Sequence, residues 1–400
     1  MRVSTADFFA RSLTSMQDRQ TVLMAVQRQL GSGLRLENPV DDPAGVAIVS
    51  RFSAALASSN AFDASLQRAT AAMMAEEGAL AGVGDVLHRL RELTLQGLSS
   101  TQSSDSRRAI ATEVRALRGQ LMSLANSRGA DGEHLFAGYS VERPPFQEVA
   151  GVVNYVGDAG QRMLELSPGN NVAIADAGSA VFAGARAGNG TFVAAAGPGN
   201  AGTLLVGGTG PVGSFVPDSY TVTFAVAADG SSNYSVTDSV GAIVAAGAYV
   251  DGDTLSFSGV SMALSGKPAS GDTLTVAPAG RQDMFTALAE LADALELPDG
   301  TATQSAAQAN RLTRVLESLD QQLSHVSSVR AGVGSRLKAA EVVADANAGG
   351  KLQLQQVLSD VRDLDYAEAS TRLAQNLTAL QAVQETFTRL ANLSLFNYLR

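Results

Sequence analysis

Three features of the sequence could carry chemistry. Gly197-Pro198-Gly199-Asn200-Ala201-Gly202 has the GxGxxG spacing whose amides cradle a phosphate when a helix follows. Here Thr203-Leu204-Leu205-Val206 follows and reads as strand, so no helix N-terminus is on offer and a plain loop is expected. Asp251-Gly252-Asp253 offers two carboxylates to a cation, but the glutamate that closes a calcium loop is missing, so a turn is expected. His88 and His325 fall in helical stretches and His134 in a loop, with no motif in common. With no cysteine, no zinc site can use sulfur, and an all-histidine site would need every one of the three. No nucleophile stands beside a base, and no carboxylate pair has a pocket to serve. No catalytic, cofactor-binding or metal-ligating residue is therefore assigned, and the chain reads as a non-enzyme.

The elements that would have to position such residues divide into two kinds. The chain has 400 residues, enough for two or three domains. Residues 141–280 hold 23 of the 39 glycines but only 15 of the 68 charged residues, and no basic residue lies between Arg186 and Lys267. The middle is thus one region and the two flanks another. The net charge of −10 argues against a nucleic-acid binder that relies on phosphate neutralisation. The absence of cysteine rules out disulfides and fits a cytosolic protein or one exported without oxidative folding. Asp7 and Arg11 interrupt the N-terminal stretch, so no signal peptide is expected, and no apolar run suits a membrane span.

The flanks carry apolar residues at helical, coiled-coil spacing. Leu66, Met73, Leu80 and Leu87 are seven apart, with Ala69, Glu76, Val83 and Leu90 as a companion track. Ile110, Val114, Leu117, Leu121 and Leu124 continue the pattern. In the second half Leu312, Leu319, Val326 and Val333 are seven apart, with Leu316, Leu323, Arg330 and Leu337 as companions. Asp41-Asp42-Pro43 supplies an N-cap and a first-turn proline, which predicts a helix over 44–98. A following helix is expected from a cap at Ser104 or Asp105 to near Asn126. Glu76 and Arg330 are polar interruptions near the middle of their tracks: either each sits at a seam edge, or antiparallel packing of helices 44–98 and 305–358 pairs them.

The middle reads as strand. Tyr220, Val222, Phe224 and Val226 alternate with small or polar neighbours, Thr273–Val276 is a second candidate, and Asp229-Gly230 and Asp251-Gly252 are turn signals. The Gly/Ala-rich stretch 184–202 reads as long surface loop. The expected fold class is mainly α with inserted β: an antiparallel coiled-coil bundle built from both chain ends, with a β-rich outer domain.

Both extremities carry amphipathic stripes: Phe9, Leu13, Met16, Leu23 and Leu30 at one end; Leu373, Leu377, Leu380, Phe387, Leu390, Leu393, Phe396 and Leu399 at the other. Chain ends are usually frayed and polar, so apolar ends predict contact with each other and with other copies. These thirteen residues are the predicted assembly interface.

Several segments together resemble the flagellin superfamily of bacterial flagellar axial proteins. Gln29-Leu30-Gly31-Ser32-Gly33-Leu34-Arg35 followed by Asp41-Asp42-Pro43-Ala44-Gly45 is similar to that family's N-terminal pattern. Asp363-Leu364-Asp365-Tyr366-Ala367-Glu368-Ala369 is similar to its C-terminal pattern. Leu135-Phe136-Ala137-Gly138-Tyr139, Pro145-Phe146, Asn154-Tyr155-Val156-Gly157-Asp158 and Gly266-Lys267-Pro268-Ala269-Ser270-Gly271-Asp272 resemble the hook-associated branch more than the flagellins. The resemblance implies terminal assembly segments (1–40 and 360–400), a helical bundle domain (41–140 and 281–359) and an outer domain (141–280). It implies a structural role in motility with no cofactor. Implied partners are other copies in a ring, a neighbouring hook-associated protein, flagellin, and an export chaperone at the C-terminal segment. Nucleic acid and membrane insertion are not expected. Export through the flagellar type III channel to the extracellular flagellum is implied, as are terminal segments that order on assembly. A flagellin filament subunit, and a secreted adhesin on a coiled-coil stalk, are the competing readings.

Overall fold

The computed structural model describes residues 5–37 and 42–398, without the side chains of 5, 6, 8, 9 and 390–398. Its helices are α1 (Thr5–Ser32), α2 (Pro43–Leu98), α3 (Ser104–Ala125), the short α4 (Gly178–Phe182), α5 (Met284–Leu295), α6 (Ala302–Arg362) and α7 (Tyr366–Tyr398). All twelve strands, β1 to β12, fall between Phe146 and Pro278. No helix among the described residues is long and apolar enough to cross a membrane.

Two compact units result. One comprises Met1–Ala64 and Val343–Arg400, the other Ser65–Val342.

The first unit holds α1 and α7 side by side, with the start of α2 and the end of α6. Asp42 caps α2: its Oδ1 accepts from the Gly45 amide at 2.9 Å, and Pro43 occupies the first helical position. Asp41, the other expected cap residue, lies outside the described residues. Asn347 Nδ2 donates to the Ser59 carbonyl at 3.0 Å, and Lys351 Nζ reaches Asp63 Oδ2 at 2.5 Å.

The second unit has a dense core. Leu66, Ala69, Met73, Glu76, Leu80, Val83, Leu87 and Leu90 of α2 are all buried. On α6, Leu312, Leu319, Val326 and Val333 are buried as expected. Their companions are shifted by one residue from the expected track. Val315 and Gln322 are buried, whereas Leu316, Leu323, Arg330 and Leu337 are only half-buried. The second buried row lies three residues after the first, because on a helix positions i+3 and i+4 flank the same face and packing selects between them. The cap of α3 is Ser103, one residue earlier than expected, with its Oγ accepting from the Ser106 amide at 3.2 Å.

The strands form two hairpins and a sandwich. β1 (Phe146–Val149) pairs with β2 (Val152–Tyr155), and β3 (Met163–Ser167) with β4 (Asn170–Ala173). A five-stranded antiparallel sheet runs in the order β5 (Phe192–Ala196), β12 (Thr273–Pro278), β7 (Tyr220–Val226), β8 (Ser232–Thr237), β9 (Ile243–Tyr249). A three-stranded sheet has the order β10 (Thr254–Phe257), β11 (Val260–Ser265), β6 (Leu205–Pro211). Phe192, Val222, Phe224, Val236, Met262, Leu274 and Val276 fill the core between them. The stretch 184–202 is therefore not simply surface loop: β5 lies in it, and Phe192 is fully buried.

The exposed row of peptide groups on β6 is met by α6. Asn310 Oδ1 accepts from the Val206 amide at 2.7 Å while its Nδ2 donates to the Leu204 carbonyl at 2.8 Å. Glu317 Oε1 accepts from the Thr209 hydroxyl at 2.7 Å. Two helix side chains thus stand in for part of a neighbouring strand.

Candidate functional site

Two of the segments carrying the family resemblance, 29–35 and 363–369, meet within the first unit. In the first unit Leu34 bridges Asp363: the Arg35 amide donates to the Arg362 carbonyl at 2.8 Å, and the Leu364 amide to the Gly33 carbonyl at 3.0 Å. Arg35 Nη2 adds a bond to the Val361 carbonyl at 2.6 Å. Gly33 has φ +75°, and a Cβ there would lie 2.8 Å from the Tyr366 hydroxyl, so glycine is required on both counts. Asp365 then starts α7, its Oδ1 accepting from the amides of Ala367 (2.9 Å) and Glu368 (3.2 Å). A Cβ at Gly45 would meet both Leu36 and the capping carboxylate of Asp42.

In the second unit Phe136, Phe146 and Tyr155 of the 135–139, 145–146 and 154–158 segments join Phe182 and Phe285 in one aromatic cluster. Phe146 sits 5.1 Å from Tyr155, 5.1 Å from Phe182 and 5.4 Å from Phe285, and Phe136 sits 5.2 Å from Phe182. Tyr155 donates to the carbonyls of Asp158 (2.6 Å) and Phe136 (3.1 Å). Asp158 accepts from the amides of Tyr139 and Gly160 and from the Ser140 hydroxyl, bonds that hold its carboxyl below the usual range.

The candidate chemical motifs resolve into structure. The amides of Ala201 and Gly202 donate to Asp272 at 2.7 and 3.0 Å, and the Ala269 amide joins them at 2.8 Å. Asp272 is 2% exposed, so an internal carboxylate fills the glycine-rich nest where a phosphate would go. This partnership joins the GxGxxG stretch to the last residue of the 266–272 motif; sequence spacing alone did not connect them. Asp251 accepts from the Gly266 amide at 2.6 Å and Asp253 from the Val250 amide at 3.0 Å, closing a turn. His88 is exposed, His134 Nδ1 lies 2.8 Å from the Asn126 carbonyl, and His325 Nε2 lies 2.8 Å from the Ala180 carbonyl. No group of three metal-ligating side chains is found among the described residues.

The expected Glu76–Arg330 pair forms one step displaced. Arg330 Nη2 binds Glu77 at 2.6 Å, and Glu76 lies 3.7 Å from Arg336 Nη2. Glu76 stands on a buried track and Arg330 at the edge of its own, so each finds a partner at its own depth.

The predicted assembly stripes are largely uncovered. Leu13 is 52% and Leu377 40% exposed, and Met16, Leu23, Leu30, Leu373, Leu380 and Phe387 are half-buried. The side chains of Phe9, Leu390, Leu393 and Phe396 lie outside those described, and Leu399 outside the described residues altogether. Of the apolar residues described in this unit, only Val26, Leu358 and Ala369 are buried. Val22, Met24 and Leu352 add further exposed apolar surface.

Long helices from both chain ends flanking an inserted β region are the architecture of flagellin-like axial proteins. The family described as the bacterial flagellin N-terminal helical region matches residues 3–141. Flagellar hook-associated protein 3 of Escherichia coli is 24% identical over 398 residues, covering 99% of each chain. A crystal structure of FlgL from Xanthomonas campestris is 34% identical with a TM-score of 0.72, covering 77% of this chain and 99% of that one. The flagellar junction protein FlgL from Legionella pneumophila is 28% identical with a TM-score of 0.72, covering 80% and 100%. The chain belongs to the family of flagellar hook-associated protein 3, FlgL. Its known relatives are structural proteins.

Proposed function

We propose that this chain is a structural subunit of the bacterial flagellum at the hook–filament junction, and that the unburied helix pair of its first unit is the surface by which it assembles. The observation that carries the assembly reading is the contrast between the two units. Ser65–Val342 holds a dense buried core, whereas the described residues of the first unit bury only three apolar side chains, and α1 and α7 leave Leu13, Val22, Met24 and Leu377 exposed. Long helices whose apolar stripes find no core within the unit suit contact with another surface. In a ring of copies the contact is heterologous, so the stripes of one subunit need not match themselves.

The finer reading follows the family. The ends (1–40 and 360–400) form the assembly layer and order when neighbours arrive, the helices 41–140 and 281–359 form a bundle, and 141–280 faces outward. The long helices run antiparallel as a coiled coil. Supporting this are the pairs Arg91–Asp320, Glu77–Arg330, Glu76–Arg336 and Asp63–Lys351, in which one number rises as the other falls. The subunit joins a preceding hook-associated protein to flagellin, leaves the cell through the flagellar export channel and is escorted by a chaperone on its C-terminal segment. A chain without cysteine suits such passage.

Deleting the gene tests the reading. Hooks without filaments, and flagellin released into the medium, are expected; normal filaments on the deletion strain would overturn it. Hydrogen exchange on the isolated chain tests the ends: weak protection is expected over 1–35 and 365–400, and strong protection of both would refute ordering on assembly.

A further inference from the structure

Glu76 is a fully buried carboxyl at the point where α2, α6 and the segment 173–184 converge. Its Oε1 accepts from the Asp176 amide at 2.9 Å. Its Oε2 has no hydrogen-bond partner and is closed off from solvent. The facing charges are few. From the segment comes Asp176; from α6 comes Arg336; on α2 itself Glu77 is already paired to Arg330. Farther along α6, His325 holds the same segment through the Ala180 carbonyl.

The charges do not balance. Arg336 is committed to Asp176, with Nη1 at 3.3 Å from Oδ1 and Nη2 at 2.5 Å from Oδ2, and Nη1 also donates to the Ala173 carbonyl. Two carboxyls therefore share one guanidinium, Glu76 fully buried and Asp176 at the partly exposed rim, and an ionised Glu76 would leave one buried negative charge uncompensated. A proton on Glu76 removes that charge and gives the otherwise unpartnered Oε2 a hydrogen to donate.

We propose that Glu76 is a proton-operated latch: as a neutral acid it ties the 173–184 segment to α2, and as a carboxylate it loosens that segment. The segment is worth latching. It carries Val181 and Phe182, both fully buried, and the Gly178 amide bonds the Phe136 carbonyl at 2.8 Å, so it anchors the aromatic cluster under the β region.

Burial first, and the Asp176 charge second, push the Glu76 carboxyl up from 4.5 to about 8. A group raised in the folded state contributes stability that is complete below its unfolded value and is lost as pH climbs through the folded one. Between those values the native chain holds one proton that the unfolded chain has released. The unfolding constant then rises about tenfold per pH unit, flattening above about pH 8.

Urea unfolding of the full chain across this range tests the latch. For the unaltered chain the midpoint is expected to fall as pH rises, and for Glu76→Gln, which keeps a neutral side chain throughout, that slope should be lost. An unchanged slope in Glu76→Gln would overturn the proposal. Should that variant fail to fold, two measurements on the unaltered chain decide. The infrared carbonyl stretch of a buried carboxylic acid should be present at neutral pH and vanish in base. Exchange protection of 173–184, corrected for intrinsic rate, should drop over the same interval. A carboxylate at neutral pH, or constant protection, refutes the latch.

Discussion

Arg330 binds Glu77 by two nitrogens, Nε at 2.9 Å and Nη2 at 2.6 Å, while the neighbouring Glu76 faces Arg336. One residue along α2 separates a half-exposed ion pair from a buried cluster. Depth decides what each is worth. Arg330 and Glu77 keep 40% and 32% of their side-chain exposure, so water screens the pair. Arg330→Ala should cost under about 1 kcal/mol. Arg336→Ala strands Asp176 beside Glu76 and should cost on the order of 3 kcal/mol or more. Urea midpoints of the two variants check the order; equal losses would show that depth does not govern these pairs.

Apolar residues of the two units should respond oppositely to truncation. Leu80 is fully buried in the second unit, and Leu80→Ala should destabilise the isolated chain by about 2–5 kcal/mol. Leu377 is 40% exposed in the first unit. Leu377→Ala should leave the isolated chain within about 0.5 kcal/mol of its parent yet weaken incorporation into flagella. Thermal unfolding together with complementation of the deletion strain separates the two effects. A Leu377→Ala chain that complements fully would remove this residue from the interface.

The helices were legible because burial repeats along them. Leu66, Met73, Leu80 and Leu87 announce a buried row by spacing alone, and Asp42-Pro43 announces its start. What spacing cannot fix is which neighbouring row is buried second: i+3 and i+4 differ little in direction, and only the partner surface selects between them. That ambiguity misplaced the companions of Leu312; the pairing of Glu76 with Arg336 and of Arg330 with Glu77 follows instead from depth, which spacing does not show. Strands β7 and β12 were legible by alternation, whereas β5 was not, because Ala194, Ala195 and Ala196 favour helix over strand and show no alternation. The contact of Gly33 with the Tyr366 segment joins residues more than three hundred positions apart, and Asp272 meets the Gly202 amide across seventy. Each motif could be read singly; that each pair forms one contact required the fold.

Asp272 should be the keystone of the 197–202 loop. Its buried carboxylate accepts three amides, and charge-assisted bonds of this kind are each worth about 1.5–3 kcal/mol. Asp272→Ala orphans all three donors and should lower stability by several kcal/mol, with exchange rising first at Ala201, Gly202 and Ala269. Asp272→Asn keeps the shape and one acceptor oxygen, and should lose less. If Asp272→Ala unfolds at the parent temperature with unchanged exchange at those amides, the nest does not depend on it.

The first unit should weaken in acid, the opposite of the Glu76 cluster. Asp63 receives Lys351 Nζ at 2.5 Å and also a bond from Asn347. The Lys351 hydrogen bond, more than the opposing burial, holds its carboxyl below 3.8. A group depressed in the folded state contributes stability that is present above its unfolded value and is lost as pH falls toward the folded one. Acidification below about pH 4 should therefore loosen residues 59–63 and 347–351, read as faster exchange there, while the latch at Glu76 stays closed. Asp63→Asn should exchange faster at neutral pH and change little on acidification. Since Asp63 and Lys351 each keep near a third of their exposure, salt should blunt the effect in the unaltered chain. Equal acid sensitivity in Asp63→Asn would assign the loosening to other carboxylates.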